Sequence, residues 1–155
     1  MPERPALVAL DIDGTLAGAD GVVSSYSRRV VRRLVEAQVA GVIISGRPER
    51  SALAVARNLG LTAPVISFEG AMVTDPVTGD RLLVRTMEPD QARLALAAGR
   101  QFDLGLTLYG VEAWYAEAPD QSNRAIVEIM EQDPVWGPLD PVVDQVPLVK
   151  VMLGA

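Results

Sequence analysis

Apolar and polar positions alternate in blocks along this chain, and the blocks change character near residue 86. Ala6-Leu7-Val8-Ala9-Leu10 is a short apolar run of the kind that forms a strand buried on both faces. From Ser24 the period lengthens. Val30, Val31, Leu34 and Val35 recur at helical spacing, opposite Arg28, Arg29, Arg32, Arg33 and Glu36. Val42-Ile43-Ile44 then reads as a second buried strand. A second helix follows Ser45-Gly46-Arg47-Pro48, with Pro48 suited to its first position, a stripe of Ala52, Val55, Ala56 and Leu59, and Gly60 as its stop. Val65-Ile66-Ser67 supplies a third strand. Strand–helix–strand–helix–strand is the pattern of an open parallel α/β sheet.

Beyond that point the pattern becomes α+β. Met72-Val73-Thr74 and Arg81-Leu82-Leu83-Val84 flank a segment with Pro76 and Gly79, which predicts a hairpin. An Ala-rich helix is expected around Glu88–Phe102. Leu104, Leu106 and Leu108 alternate with Gly105, Thr107 and Tyr109, the two-residue period of a half-buried strand. A strand through Trp114-Tyr115 pairs with it. Asp120 can cap a helix carrying Ile126, Ile129 and Met130, and a proline-rich loop leads to a last strand, Leu148–Leu153. These readings divide the chain into a core, residues 1–86, and a second α+β layer, residues 87–155.

Composition narrows the chemistry. The 155 residues are 49% hydrophobic and 22% charged, ordinary values for a globular domain. No apolar stretch approaches the roughly 18 residues of a membrane span, and no export signal is visible, so a soluble, cytoplasmic protein is expected. With no cysteine and no histidine, thiolate chemistry, imidazole-based zinc sites and a Ser-His-Asp triad are excluded. Catalysis must run on carboxylates, hydroxyls, Lys or Arg, with a hard cation as the natural partner. A net charge of −6 argues against nucleic acid as a partner but leaves small anions open. The arginines of the first helix are read as a solvated face in preference to an anion site.

The chemistry centres on Asp11-Ile12-Asp13-Gly14-Thr15-Leu16. Two acids two residues apart stand at the carboxyl end of the first strand, where open α/β sheets place their ligands. Gathering like charges there is unfavourable unless a cation or catalysis requires it. The alternative is a pair of loop acids without a role.

That hexapeptide resembles the first motif of the haloacid dehalogenase superfamily. Ser45-Gly46-Arg47-Pro48 resembles the second motif of its Cof-type (type IIB) branch. Phe68-Glu69-Gly70-Ala71 resembles the segment closing the third strand there, where Asn is usual in place of Glu69. Leu148-Val149-Lys150-Val151 resembles a lysine-bearing strand of the cap. The resemblance implies a Rossmann-like parallel core with a C2-type α+β cap. It also implies a Mg²⁺-dependent phosphatase acting on a small phosphorylated metabolite such as a sugar phosphate. Asp11 would be the nucleophile and Asp13 the acid and base. The carboxylate of Asp11 and the carbonyl of Asp13 would hold the metal, and Thr15, Ser45, Gly46 and Arg47 would meet the phosphoryl group. For Arg47 a structural salt bridge is an equal alternative, and Trp114 and Tyr115 are read as packing residues in preference to the substrate face of the cap.

The superfamily also uses a catalytic lysine and a later acidic pair. Lys150 is the only lysine, and its place in the cap strand does not fit the catalytic one. The chain is therefore expected to be a truncated or frameshifted member, or a piece whose remainder lies elsewhere, with an apolar sheet edge that favours self-association. The competing reading is a non-catalytic fragment or interaction module.

Overall fold

The computed structural model describes residues 5–119, 127 and 132–154. The chain divides into two compact units, Met1–Leu83 and Val84–Ala155.

In the first unit β1 (Leu7–Leu10) runs parallel to β2 (Ala40–Ile43), pairing Leu7 with Ala40 and Leu10 with Ile43. A single parallel bridge, Ile44 to Ile66, places β3 (Val65–Ser67) beyond β2. The chain then turns back. β4 (Met72–Thr74) pairs antiparallel with β3, and β5 (Arg81–Val84) lies beside β4. The expected hairpin is present, and its pairing onto β3 is additional.

Helix α1 (Ser25–Glu36) starts where the Ser24 hydroxyl accepts the Ser27 N–H at 3.0 Å. Helix α2 (Glu49–Asn58) ends at Gly60, whose φ of +71° suits glycine. Pro48 is the N-cap rather than the first helical residue: its ψ of 150° keeps it extended. The core of this unit gathers Ile12, Val31, Ile43, Ala52, Ala56 and Val65. Gly41 lets α2's trailing loop close on β2, since a Cβ there would stand 2.7 Å from Leu61 Cδ2.

Two burial expectations are corrected. β1 is not buried on both faces: Leu7 and Ala9 are exposed, and Val8 and Leu10 are half-buried. Among the described residues only β2 pairs with it. On α1, Val31 is buried and Leu34 half-buried, but Val30 and Val35 remain exposed, so only part of the predicted stripe is covered.

Glu49, opening α2, accepts from the Thr74 hydroxyl and from Arg81, whose Nη2 lies 2.9 Å from Oε2. Arg57 Nε donates to the Pro76 carbonyl at 2.8 Å. Both ends of α2 are thus tied to the hairpin.

The second unit begins with α3 (Pro89–Gln101), capped by a reciprocal pairing of Glu88 and Gln91. Its sheet has the order β8-β7-β6-β9, with β6 (Gly105–Gly110), β7 (Trp114–Ala116), β8 (Val135–Trp136) and β9 (Leu148–Gly154). β6 was expected to be half-buried and is buried on both faces. It is flanked by β7 and β9, Leu106 and Leu108 pack with Ala92 and Leu96 of α3, and Tyr109 on the other face stacks on Trp114 at 6.2 Å.

The expected proline-rich loop contains β8 and a short helix, α4 (Asp140–Gln145), because Leu139 and Val143 turn into the core. Arg100 of α3 bridges Asp140 at 2.7 Å and Glu117 at 2.9 Å. The helix expected after Asp120, with Ile126, Ile129 and Met130, lies outside the described residues.

Candidate active site

Ile12 organises the first motif. Its side chain is fully buried, and its carbonyl accepts the N–H groups of Thr15 (3.3 Å) and Ala17 (2.8 Å). Gly14 takes φ +78° to complete the turn, and its N–H meets the Ala17 carbonyl at 3.0 Å. Anchoring the middle residue leaves the two flanking carboxylates exposed. The Thr15 hydroxyl donates to Asp11 Oδ2 at 3.2 Å.

The second motif is fixed from β3. Ser45 is buried, its N–H donates to the Ile66 carbonyl at 3.0 Å, and its hydroxyl accepts the Arg47 N–H at 3.1 Å. From there Arg47 reaches back across 34 residues to grip Asp13. Nε donates to Oδ2 at 2.8 Å and Nη2 to Oδ1 at 2.5 Å. The same guanidinium contacts the Gly21 carbonyl and the Ser51 hydroxyl, both at 3.4 Å. The hydrogen bonds from Arg47 hold the Asp13 carboxyl below the ordinary range, with burial opposing them. Of the two readings of Arg47, the ion pair is the contact present.

The third segment is strained. Phe68 and Glu69 both adopt left-handed backbone, φ 48° and 51°, and Gly70 follows at 99°. For a bulky residue such as Phe68 this is a true outlier, costing on the order of 1–3 kcal/mol per residue. Bonds to the second motif hold it: Phe68 N–H to the Arg47 carbonyl at 3.1 Å and Glu69 N–H to the Ser45 carbonyl at 3.3 Å. The Glu69 carboxylate lies directly over Gly46, where a Cβ would come within 2.6 Å of Oε1.

Asp11, Ser45, Gly46 and Glu69 line one open cleft of about 440 Å³, walled on its other side by Ala9, Leu10 and Ile44. Asp13, Thr15 and Arg47 attach to it through Asp11 and the second motif without lining it. A separate hollow of about 290 Å³ along Val35, Gln38, Gly41 and Leu61 has no ionisable group in its wall. Lys150 belongs to β9 of the second unit. The roles of Gly21 and Ser51 as Arg47 partners were not foreseen. The four-residue spacing from Arg47 to Ser51 is the one sequence signal that pointed to either.

Residues 8–136 match the profile of the haloacid dehalogenase-like hydrolases, most of the chain. The chain belongs to that family. The profile match and the fold are those of a Cof-type member of it. It is 37% identical over 76 residues to a 5-amino-6-(5-phospho-D-ribitylamino)uracil phosphatase of Bacillus subtilis, a match covering 49% of this chain and 28% of the relative. It is 29% identical over 121 residues to an HMP-PP phosphatase of Serratia proteamaculans, covering 77% of this chain and 44% of the relative. A haloacid dehalogenase-like hydrolase from Bacteroides thetaiotaomicron shares the fold, with TM-score 0.78 at 19% identity over 97% of this chain and 58% of that one. The family member described here thus spans less than half the length of these two curated relatives. No helix among its described residues is long and apolar enough to cross a membrane.

Proposed function

We propose that this haloacid dehalogenase-like chain contributes the nucleophile and phosphoryl-binding loop of a phosphate-monoester hydrolase. The substrate would be a small phosphorylated metabolite, as the names of both curated relatives suggest for those proteins. The observation that carries this reading is the meeting of Asp11, Ser45 and Gly46 in one cleft at the carboxyl ends of neighbouring parallel strands.

In this reading an Asp11 carboxylate oxygen attacks phosphorus, the phosphorus–oxygen ester bond breaks, and an aspartyl-phosphate forms. The Thr15 hydroxyl steadies the attacking group through its bond to Oδ2. The start of α2, just beyond Gly46, would meet the phosphoryl oxygens beside Ser45. Asp13 gives a proton to the leaving oxygen and later takes one from the water that splits the intermediate. The Arg47 pair suits the second task, because it keeps Asp13 ionised. For the first task the pair must open so that Asp13 can carry a proton.

The Asp11 carboxylate and Asp13 carbonyl are hard oxygen donors of the kind Mg²⁺ takes. No group of three or more acidic, His or Cys side chains gathers there among the described residues, so most of the shell would be water and phosphoryl oxygen. Bound there, Mg²⁺ would offset the charge of the phosphoryl group.

A non-catalytic role is the second reading. It is favoured by the same Arg47 pair, which occupies both oxygens of the acid. Release of phosphate from p-nitrophenyl phosphate, with Mg²⁺ and with EDTA, separates the two. Metal-dependent turnover that disappears in Asp11→Asn is expected. Turnover that survives Asp11→Asn in a folded chain would refute the proposed nucleophile.

A further inference from the structure

The arginines of α1 differ from those elsewhere in the chain. Arg47, Arg81, Arg93 and Arg100 each hold a carboxylate. Arg28, Arg29, Arg32 and Arg33 are exposed, and among the described residues none of them meets a carboxylate within ion-pair distance. Arg28 Nε donates to the Val23 carbonyl at 3.3 Å, and Arg29 lies over the Tyr26 ring, 5.9 Å from its centre. Glu36 is the one acid of the helix. Helical spacing sets Tyr26, Arg29 and Arg33 in one row with Arg32 beside it. A block of positive charge without internal partners therefore stands on a chain of net charge −6.

The same helix borders a hollow. Val35, one turn beyond Arg32, is 43% exposed and lines the hollow of about 290 Å³ together with Gln38, Val39, Ala40, Leu61 and Ala63. Ala40 opens β2, so this hollow lies at the amino end of the strand, opposite the cleft that holds Asp11. A concave wall without charge accepts an inserted apolar side chain, which the flat surface of a bilayer does not supply. The four arginines spread over about one and a half turns of helix, more than one small anion spans. A long polyanion such as nucleic acid would be repelled by the acidic remainder of the chain. Arg and Tyr beside an apolar recess are the residue types that anchor protein partners. We propose that the outer face of α1 and this hollow form a docking surface for an acidic peptide segment of a partner protein. Its carboxylates meet Arg29, Arg32 and Arg33, whose planar forks suit them, and one apolar side chain enters the hollow.

The probe is a fluorescein-labelled oligoglutamate with a single central leucine, titrated with the full chain and read by fluorescence anisotropy. It is expected to bind saturably and to weaken as salt is raised. The same peptide with serine in place of leucine should bind about tenfold more weakly, having lost the buried side chain. Arg32→Gln combined with Arg33→Gln should weaken the leucine peptide about fivefold, the scale of two exposed charge pairs. Ala63→Leu fills the hollow and should erase the preference for leucine over serine. Ala40→Leu replaces it if circular dichroism finds Ala63→Leu unfolded. No saturable binding by the folded chain, binding indifferent to the two arginine substitutions, or equal affinities for the two peptides would overturn the proposal. So would tighter binding of oligothymidylate or of phosphatidylserine vesicles, which would give this face to a nucleic acid or a membrane instead.

Discussion

Arg47 holds both carboxylate oxygens of Asp13, at 2.8 and 2.5 Å, and so joins the loops that follow β1 and β2 into one structure. The side chain of Arg47 is 18% exposed and that of Asp13 57%. The pair is therefore partly screened, and its worth is on the order of 0.5–1 kcal/mol.

The first prediction follows from that pair. The native carboxyl titrates below its ordinary value of 3.8, so its stabilisation is present above that pH and is lost as pH falls through the lower native value. Arg47→Met should lose about 0.5–1 kcal/mol at neutral pH in urea unfolding. The gap from wild type should close in strong acid. A carboxyl NMR titration should find the Asp13 midpoint moved upward in the variant. An unmoved midpoint would contradict the pairing.

Thr15 supports Asp11 through one hydrogen bond at 3.2 Å. Thr15→Val keeps the shape and removes the donor. Turnover of p-nitrophenyl phosphate should fall about five- to tenfold, the loss of one hydrogen bond to a charged group. Because the residue is exposed, stability should stay within about 0.5 kcal/mol of wild type. A large loss of stability with turnover unchanged would assign Thr15 to the fold instead.

Ser67, the last residue of β3, is fully buried, and its hydroxyl has no hydrogen-bond partner among the described residues. An unsatisfied hydroxyl in such a place costs on the order of 1 kcal/mol or more. Ser67→Ala should therefore raise stability by about 1 kcal/mol, read as a higher denaturation midpoint with an unchanged slope. Destabilisation would mean that the hydroxyl has a partner such as a buried water.

Gly99 sits inside α3, where alanine would ordinarily gain about 1 kcal/mol. Here a Cβ would lie 2.3 Å from Leu106 Cδ2 and 2.9 Å from Leu153 Cδ2. Overpacking of that kind costs about 1–3 kcal/mol, so Gly99→Ala should destabilise on balance. A stabilised variant would mean that the two leucines can turn aside.

Much of this was legible in the sequence because it rests on local pattern. The short apolar runs marked β2 and β3, Ser24 marked the start of α1, and Asp-x-Asp-Gly-Thr at a strand end marked the wall of the candidate cleft. What pattern could not supply was neighbourhood. Leu7 and Ala9 read as core residues because apolar runs usually are, yet burial depends on what lies against a strand. Thr107 and Tyr109 read as the open face of β6 and are buried, because β6 lies between two strands and Tyr109 stacks on Trp114. The left-handed pair Phe68-Glu69 had no local signal, since neither residue type favours that backbone. It is imposed by bonds to residues about 20 positions earlier in the chain.

Glu49 is three residues from Gly46 and is also the point at which Thr74 and Arg81 fasten the hairpin. A surface element with no chemistry of its own is therefore mechanically continuous with the backbone amides of the second motif. Amide hydrogen exchange gives this a concrete form. Cutting the tether with Glu49→Gln should speed exchange in β4 and β5 and, in step with it, at the start of α2. The hairpin would then act as a damper on the second motif, and drift in its sequence would surface as altered rigidity some distance from where it occurred.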